Sequence, residues 1–378
     1  MLKKNFLFTP GPTMVPPEVL AAEAQTMIHH RTPQFSAILA DVTAGMKELV
    51  GTEHDVFVIA GSGTAAMETA VCNIVSPGDK VVCVQAGKFG ERWTELCERY
   101  GADPIIVEKE YGQSFGADDL APVLRSEPDV KAVYITQSET STGALSDVAA
   151  IAALTREAGA LCIVDAITGI GIQEFRMDEW GVDIAVTGSQ KGLMMSPGLA
   201  FIAVGPRVWP AVEACTSPRY YLDLAAMKKS AAKQTTPYTS AVSLVRAAQA
   251  SLAMMRAEGL DEVVARHARL AHATRSAVQA LGLELLAATP ANVVTAVRAP
   301  EGLDSDKLVK LLRDKYGVTI AGGQGELKGK IFRIGHMGYV GEFDILAAVG
   351  ALERALAELG YAFEAGAGLA AAQKVLMS

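Results

Sequence analysis

The residues best suited to chemistry in this chain are a lysine and an aspartate. Lys191 closes the run Gly188-Ser189-Gln190-Lys191, which follows the apolar segment Asp183 to Thr187. Asp165 ends an earlier apolar segment, Ala160 to Val164, that reads as a buried strand. If the two segments are neighbouring strands of one sheet, a carboxylate and an amine reach the same sheet edge. Such a pair suits pyridoxal 5'-phosphate (PLP). The amine can hold an aldehyde as a Schiff base, and the carboxylate can keep a pyridine nitrogen protonated so that the ring accepts electrons. A surface lysine meeting a strand-end aspartate by accident is the plainer alternative, and only the rest of the chain separates the two.

Further groups point the same way. Gly61-Ser62-Gly63-Thr64-Ala65-Ala66 follows a strand and opens a helix, where free backbone N–H groups make an anion site. It also fits the dinucleotide pattern G-x-G-x-x-A, but that pattern wants an acid at the end of the next strand. The next strand runs into Gln85-Ala86-Gly87, so a single phosphate fits better than a dinucleotide. Phe89, between Gly87 and Gly90, places an aromatic in a loop at this edge, where it could stack on a flat ring or merely cap the core. Glu139-Thr140-Ser141-Thr142-Gly143 brings hydroxyls to the end of another strand; an ordinary turn would look the same. Arg333, inside the apolar strand Ile331 to Gly335, needs an anion, and its planar fork suits a carboxylate. A structural ion pair is the competing explanation. His29-His30-Arg31 lacks the carboxylate or cysteine needed to complete a metal set, so no metal is expected.

Positioning these groups takes an α/β scaffold. Strands are expected at Val56–Ala60, Lys80–Gln85, Pro104–Val107, Ala132–Thr136, Ala160–Val164, Ile184–Thr187 and Ala200–Val204. Helices are expected between them at Thr64–Ile74, Glu91–Tyr100, Ala117–Ser126 and Val148–Ala158. That alternation predicts a mainly parallel, seven-stranded sheet with helices on both faces and ligands at the strands' carboxyl ends. Beyond Pro237 the pattern changes. One or two long helices over Ser240–Leu281 lead into a smaller α+β unit: strand Val293–Val297, helix Asp304–Tyr316, strand Lys330–Gly335 and helix Glu342–Leu359. The tail Ala365–Ser378 is either a docking helix or loose.

Bulk properties narrow the partners. The 378 residues fit two domains. A net charge of −8 gives no footprint for nucleic acid or an anionic membrane. No apolar run is long enough to span a bilayer, and because Pro10-Gly11-Pro12 breaks the first apolar stretch no secretory signal is expected. The five cysteines show no paired spacing, as expected of buried thiols in a reducing cytoplasm.

Taken in order along nearly the whole chain, these motifs resemble the class V aminotransferases of fold type I, in particular the alanine–glyoxylate and serine–pyruvate group. The resemblance also includes Thr9-Pro10-Gly11-Pro12-Thr13, Thr32-Pro33, Thr235-Thr236-Pro237 and Phe332 to Gly338. It implies that Lys191 is the Schiff-base lysine and proton carrier and that Asp165 pairs with the ring nitrogen. Ser62, Gly63, Thr64 and Gln190 would hold the phosphate, with Thr235 reaching in from a partner subunit. Ile167 and Phe89 would cover the two ring faces. Thr140 would bond the ring hydroxyl or substrate, and Arg333, with Gly11 nearby, would receive the substrate carboxylate. Some relatives place a tyrosine where this chain has Ala232, which puts part of the partner's phosphate contact in question.

The resemblance further implies residues 1–16 as a segment packing on the small domain, 17–260 as the PLP-binding domain and 261–378 as the small domain. It implies a cytoplasmic homodimer with active sites at the subunit interface. The activity implied is transfer of the amino group of alanine or serine to glyoxylate or pyruvate by a ping-pong mechanism. An aspartate donor and a hydrogenase-associated binding subunit are the alternatives. Cysteine desulfurases resemble the chain in fold, but they carry histidine before the lysine and a late catalytic cysteine, and no cysteine follows Cys215.

Overall fold

The computed structural model describes residues 4–378. Its centre is a seven-stranded sheet in the order Asp55–Ala60, Leu199–Val204, Ile184–Gly188, Leu161–Asp165, Ala132–Thr136, Lys80–Gln85, Asp103–Glu108. All neighbours are parallel except Leu199–Val204, which runs antiparallel to both of its partners. The four strands from Ala132–Thr136 to Leu199–Val204 are buried along their whole length. Strands covered by helices on both sides must be apolar on both sides, which is why they read as unbroken apolar runs.

Alternate residues divide between two cores. Val84, Val133, Val164, Ala185 and Phe201 face one helical layer, while Cys83, Tyr134, Ile163, Val186 and Ile202 face the other. After Lys80–Gln85 the chain steps outward to Asp103–Glu108, then returns to Ala132–Thr136 on the opposite side. The connections that leave the carboxyl ends of the neighbouring strands Lys80–Gln85 and Ala132–Thr136 therefore run to opposite sides, the kind of switch point at which such sheets bind ligands. An 18-residue helix, Pro33–Val50, packs below the sheet. Its start is set by Thr32, whose hydroxyl accepts from Phe35 N–H, and by Pro33 at the first helical position.

The C-terminal part has its own core. Helices Val242–Glu258 and Leu260–Ala280 are separate because Gly259 (φ +96°) breaks the run between them. Strands Val294–Arg298 and Ala321–Gly322 flank Ile331–Gly335, and helix Glu342–Glu358 covers them. The expected helix Asp304–Tyr316 is present but finishes in a π turn from Leu312. The tail forms helix Ala367–Leu376 against Leu260–Ala280, and Glu353 accepts N–H bonds from Gly366 and Leu369 at its start. From the N-terminus, Phe6–Leu7 pairs in parallel with Val318–Thr319, Phe8 is buried in this same core, and Phe8 C=O accepts from Gly335 N–H. Residues 1–3 of the expected N-terminal segment lie outside the described residues. All five cysteines are free and buried, and among the described residues no helix is long and apolar enough to cross a membrane.

Candidate active site

Strand geometry places the aspartate and the lysine. Leu161–Asp165 and Ile184–Gly188 are parallel neighbours, so Asp165, the last residue of its strand, and Lys191, just past Gly188, leave the sheet at one edge. A tight loop then fixes Lys191. Ser189 N–H donates to Leu199 C=O, Ser189 Oγ donates to Ser196 C=O, and Met194 N–H donates to Lys191 C=O with Met194 in a left-handed conformation (φ 53°). The N-terminal segment crosses this loop. Lys191 Nζ donates to Pro10 C=O, and Thr13 Oγ1 donates to Lys191 C=O. Gly11 (φ +98°) lies directly over the lysine stem; a methyl there would fall 2.6 Å from Lys191 Cε.

One pocket gathers most of the expected residues: Ser62, Gly63, Thr64, Phe89, Thr140, Asp165, Ile167, Gln190 and Lys191. Three more line it that the sequence reading did not assign: Arg92, Ser138 and Thr168. Arg333 is not among the lining residues; it approaches from the C-terminal core, donating through Nη1 to the C=O of the lining residue Thr140 and through Nε and Nη2 to Gly322 C=O. Thr235 is elsewhere. It lies beyond the edge strand Asp55–Ala60, in a groove with Leu39, Val58, Met227 and Pro237, where its hydroxyl accepts from Arg31.

Two expectations need correction. Phe89 is not in a loop: it sits in the first turn of helix Lys88–Arg99, which starts three residues earlier than expected. Nor do all the hydroxyls of 140–142 face the ligand. Ser141 Oγ donates to Glu139 and Thr142 Oγ1 to Glu139 C=O, which leaves Thr140 as the one lining the pocket. The residue that organises this turn is Glu139. Its buried carboxylate accepts from Phe89 N–H, Gly90 N–H, Ser141 N–H and Ser141 Oγ, so it ties the Phe89 helix to the Thr140 turn. Burial raises its pKa even against those donors.

The electrostatics describe a site short of anions. Burial pushes Asp165 up to about 7; the Ile167 N–H on its Oδ1 opposes this, and the nearby Glu139 charge adds to it. A cationic N–H placed on Asp165 would stabilise its charged form. Burial pulls Lys191 down to about 8, with the Arg333 and Arg92 charges adding to the effect and Asp165 opposing it. An amine in that range is partly neutral near pH 7 and can both take and give a proton. Arg333 is buried and lowered to about 10 for the same reason. No carboxylate pairs with it among the described residues, which removes the structural ion pair as an explanation.

The residues also fit PLP's phosphate. The first-turn N–H groups of Gly63 and Thr64 have no helical partner, and Ser62 makes no cap bond. Gln190 Oε1 is buried without a partner. A methyl on Gly63 would sit 2.9 Å from Ile167 Cγ1, so only glycine leaves that N–H open beside Ile167. Backbone and hydroxyl donors around one concavity are what an absent anion would complete, and the Gln190 amide joins them once turned to present its Nε2 in place of Oε1.

The comparisons define the class. The chain belongs to the class-V aminotransferase family, whose model matches residues 5–329. It is a PLP-dependent aminotransferase of fold type I. It is similar to the soluble hydrogenase small subunit of Synechococcus sp., with 48% identity covering 100% of this chain and 99% of the relative. It is 40% identical to L-aspartate–glyoxylate aminotransferase of Paracoccus denitrificans, over 99% of this chain and 96% of that one. Among solved structures, ureidoglycine–glyoxylate aminotransferase from Bacillus subtilis superposes with a TM-score of 0.95 at 31% identity, over 100% of this chain and 99% of that one.

Proposed function

We propose that this aminotransferase moves the amino group of a small amino acid, alanine or serine, to glyoxylate or pyruvate in two half-reactions. PLP, when bound, supplies the aldehyde that exchanges amino groups and a ring that accepts electrons. Every other task falls to the chain. Lys191 Nζ anchors the cofactor and then carries the substrate's α-proton. Asp165 holds a proton on the nitrogen opposite it, which is charge stabilisation by a group already in place. Ser62, Gly63, Thr64 and Gln190 receive the phosphate, and Ile167 and Phe89 close on the two ring faces. Arg333 and the Thr140 hydroxyl orient the substrate carboxylate, and the Pro10-Gly11 crossing excludes water above Lys191. Thr235, remote from its own pocket, serves the partner's site in a cytoplasmic homodimer.

The observation that carries the small-substrate reading is the fate of the other arginines. Arg31 is engaged by Thr235 Oγ1, Thr236 C=O and Pro237 C=O. Arg219 is engaged by the carbonyls of Val212, Cys215 and Ser217. Neither lines the pocket; Arg92 does, but it is bonded to Thr64 beside the phosphate groups, which leaves Arg333, held against the C=O of the lining residue Thr140, to hold one carboxylate. A matrix of amino donors against keto acceptors tests this. Alanine or serine with glyoxylate or pyruvate should lead; aspartate ahead of both by tenfold or more would replace this reading with the dicarboxylate one.

A second reading, a binding subunit, has one observation in its favour: the relative at 48% identity is named as a hydrogenase subunit. The intact pair of Lys191 and Asp165 in a pocket weighs against it. The purified protein should turn yellow with PLP and lose the colour on borohydride reduction. A protein that stays colourless with added PLP favours the binding subunit.

A further inference from the structure

The phosphate cradle has no formal charge of its own. It consists of two backbone N–H groups, the hydroxyls of Ser62 and Thr64, and the Gln190 amide. A phosphate monoester carries about −1.5 to −2 at neutral pH, while a helix N-terminus offers only about half a positive charge. The chain as a whole, at −8, opposes a second anion beside the substrate carboxylate. A cation beside the cradle would offset the remaining charge, and Arg333 is instead bonded to the carbonyls of Thr140 and Gly322.

Arg92 is in the right place. It lines the same pocket, one helical turn beyond Phe89 on Lys88–Arg99. Its Nη1 donates to Thr64 Oγ1 at 3.4 Å, and its guanidinium carbon lies 4.9 Å from the centroid of the Phe89 ring, within cation–π range. It is close enough for its charge to act on both Asp165 and Lys191. No carboxylate pairs with it among the described residues. A half-buried guanidinium clamped between a ring face and a cradle hydroxyl, with its charge unmatched, is arranged for an anion the chain does not supply.

We propose that Arg92 is the counter-charge for the cofactor phosphate and a positioning residue for Thr64. With an Arg92 N–H on its oxygen, the Thr64 hydroxyl is left to donate its proton to the anion. The Phe89 ring keeps the fork from swinging toward solvent. This rests on the assignment of Ser62, Gly63, Thr64 and Gln190 to the phosphate. It also gives the chain a phosphate contact from within the protomer, where Ala232 offers no polar group for a partner's site.

The test compares two probes on the apoprotein: PLP, and pyridoxal, which lacks the phosphate. Both can react with Lys191, so their ratio isolates the phosphate. Arg92→Gln should weaken PLP binding about ten- to hundredfold while pyridoxal stays within about threefold, as expected for loss of one charge-assisted contact. Arg92→Lys should fall between the variant and wild type. Equal loss of both probes would make Arg92 a support for Phe89 and overturn the proposal. An unchanged probe ratio with a selective loss of kcat/KM for aspartate would make it a receptor for a distal carboxylate, which also overturns it. If Arg92→Gln does not fold, wild-type apoprotein gives the same answer: inorganic phosphate should slow modification of Arg92 by phenylglyoxal, and absence of protection overturns the proposal. Wild-type apoprotein that binds PLP no better than pyridoxal would sink the cradle assignment itself, together with this role for Arg92. The donor–acceptor matrix is unaffected by either result.

Discussion

Two regions meet at the pocket, and they are built differently. The sheet edge carries Asp165 and Lys191 on strands buried on both faces, with each residue fixed by its own strand and loop. The opposite wall, Arg333 with Pro10 and Gly11, belongs to the C-terminal core, which the N-terminal segment joins through Phe6–Leu7 and Phe8. Two of the side-chain links between the walls are Arg333 Nη1 to Thr140 C=O and Lys191 Nζ to Pro10 C=O. The division suggests that the sheet performs the proton chemistry and the other wall selects what enters. Damage to the first wall should then appear in turnover and damage to the second in substrate affinity.

The sharpest way to break that division is Lys191→Ala. Losing both the anchor and the proton carrier should lower transamination by about a thousandfold or more, with the fold intact by circular dichroism. Activity within tenfold of wild type, without added amines, would sink the assignment.

Asp165→Asn comes next. It should bind cofactor yet lose about a hundredfold in turnover, since a neutral amide cannot hold the ring proton. A first half-reaction at full rate in stopped-flow measurements would contradict this role. The same variant has a pH signature in the apoprotein. Because the folded pKa of Asp165 is raised to about 7, the folded state binds the proton more tightly than the unfolded state. Wild-type stability should therefore fall as pH rises from about 4 to 7, by up to about 1.4 kcal/mol per pH unit from this one group. Thermal melts should show that slope reduced in Asp165→Asn, and identical slopes would mean Asp165 is already charged.

Arg333→Lys probes the other wall. An ammonium cannot copy two parallel bonds to a carboxylate, so kcat/KM for alanine and serine should fall about ten- to hundredfold with PLP affinity little changed. Parallel losses in both quantities would place Arg333 in the framework. Gly11→Ala should have the smallest effect. The added methyl conflicts with the lysine stem and with φ +98°, so a few-fold rise in KM and a lower melting temperature are expected. An unchanged KM would mean the crossing segment is looser over Lys191 than the contact implies.

Much of the first wall was legible in the sequence, because fully buried strands announce themselves. Lys80–Gln85 and Ala132–Thr136 have the bounds expected from the apolar runs they contain, Val81–Val84 and Ala132–Ile135. Helix Pro33–Val50 lies outside the expected elements, although Thr32-Pro33 carries the cap signal that starts it. Arg92 falls on the expected helix Glu91–Tyr100, where a charge on a solvated face would read the same. Its position three residues after Phe89, on the same face, was the available clue. Glu139 was hidden for a different reason. Its contact with Ser141 is local, but the N–H groups of Phe89 and Gly90 become its neighbours only when the strands close up, and nothing in the local sequence encodes that.

The one reversed strand has a consequence for how the enzyme assembles. Because Leu199–Val204 runs antiparallel to Ile184–Gly188, the lysine loop is a short return between adjacent strands and needs no helical crossover. Its closing bonds, Ser189 N–H to Leu199 C=O and Leu199 N–H to Ser189 Oγ, join residues close together in the chain. Contacts of such low sequence separation cost little loop-closure entropy and can form early. Arg333 must instead find Thr140 across more than half the chain. The lysine loop can thus be shaped before Arg333 and its strand have arrived.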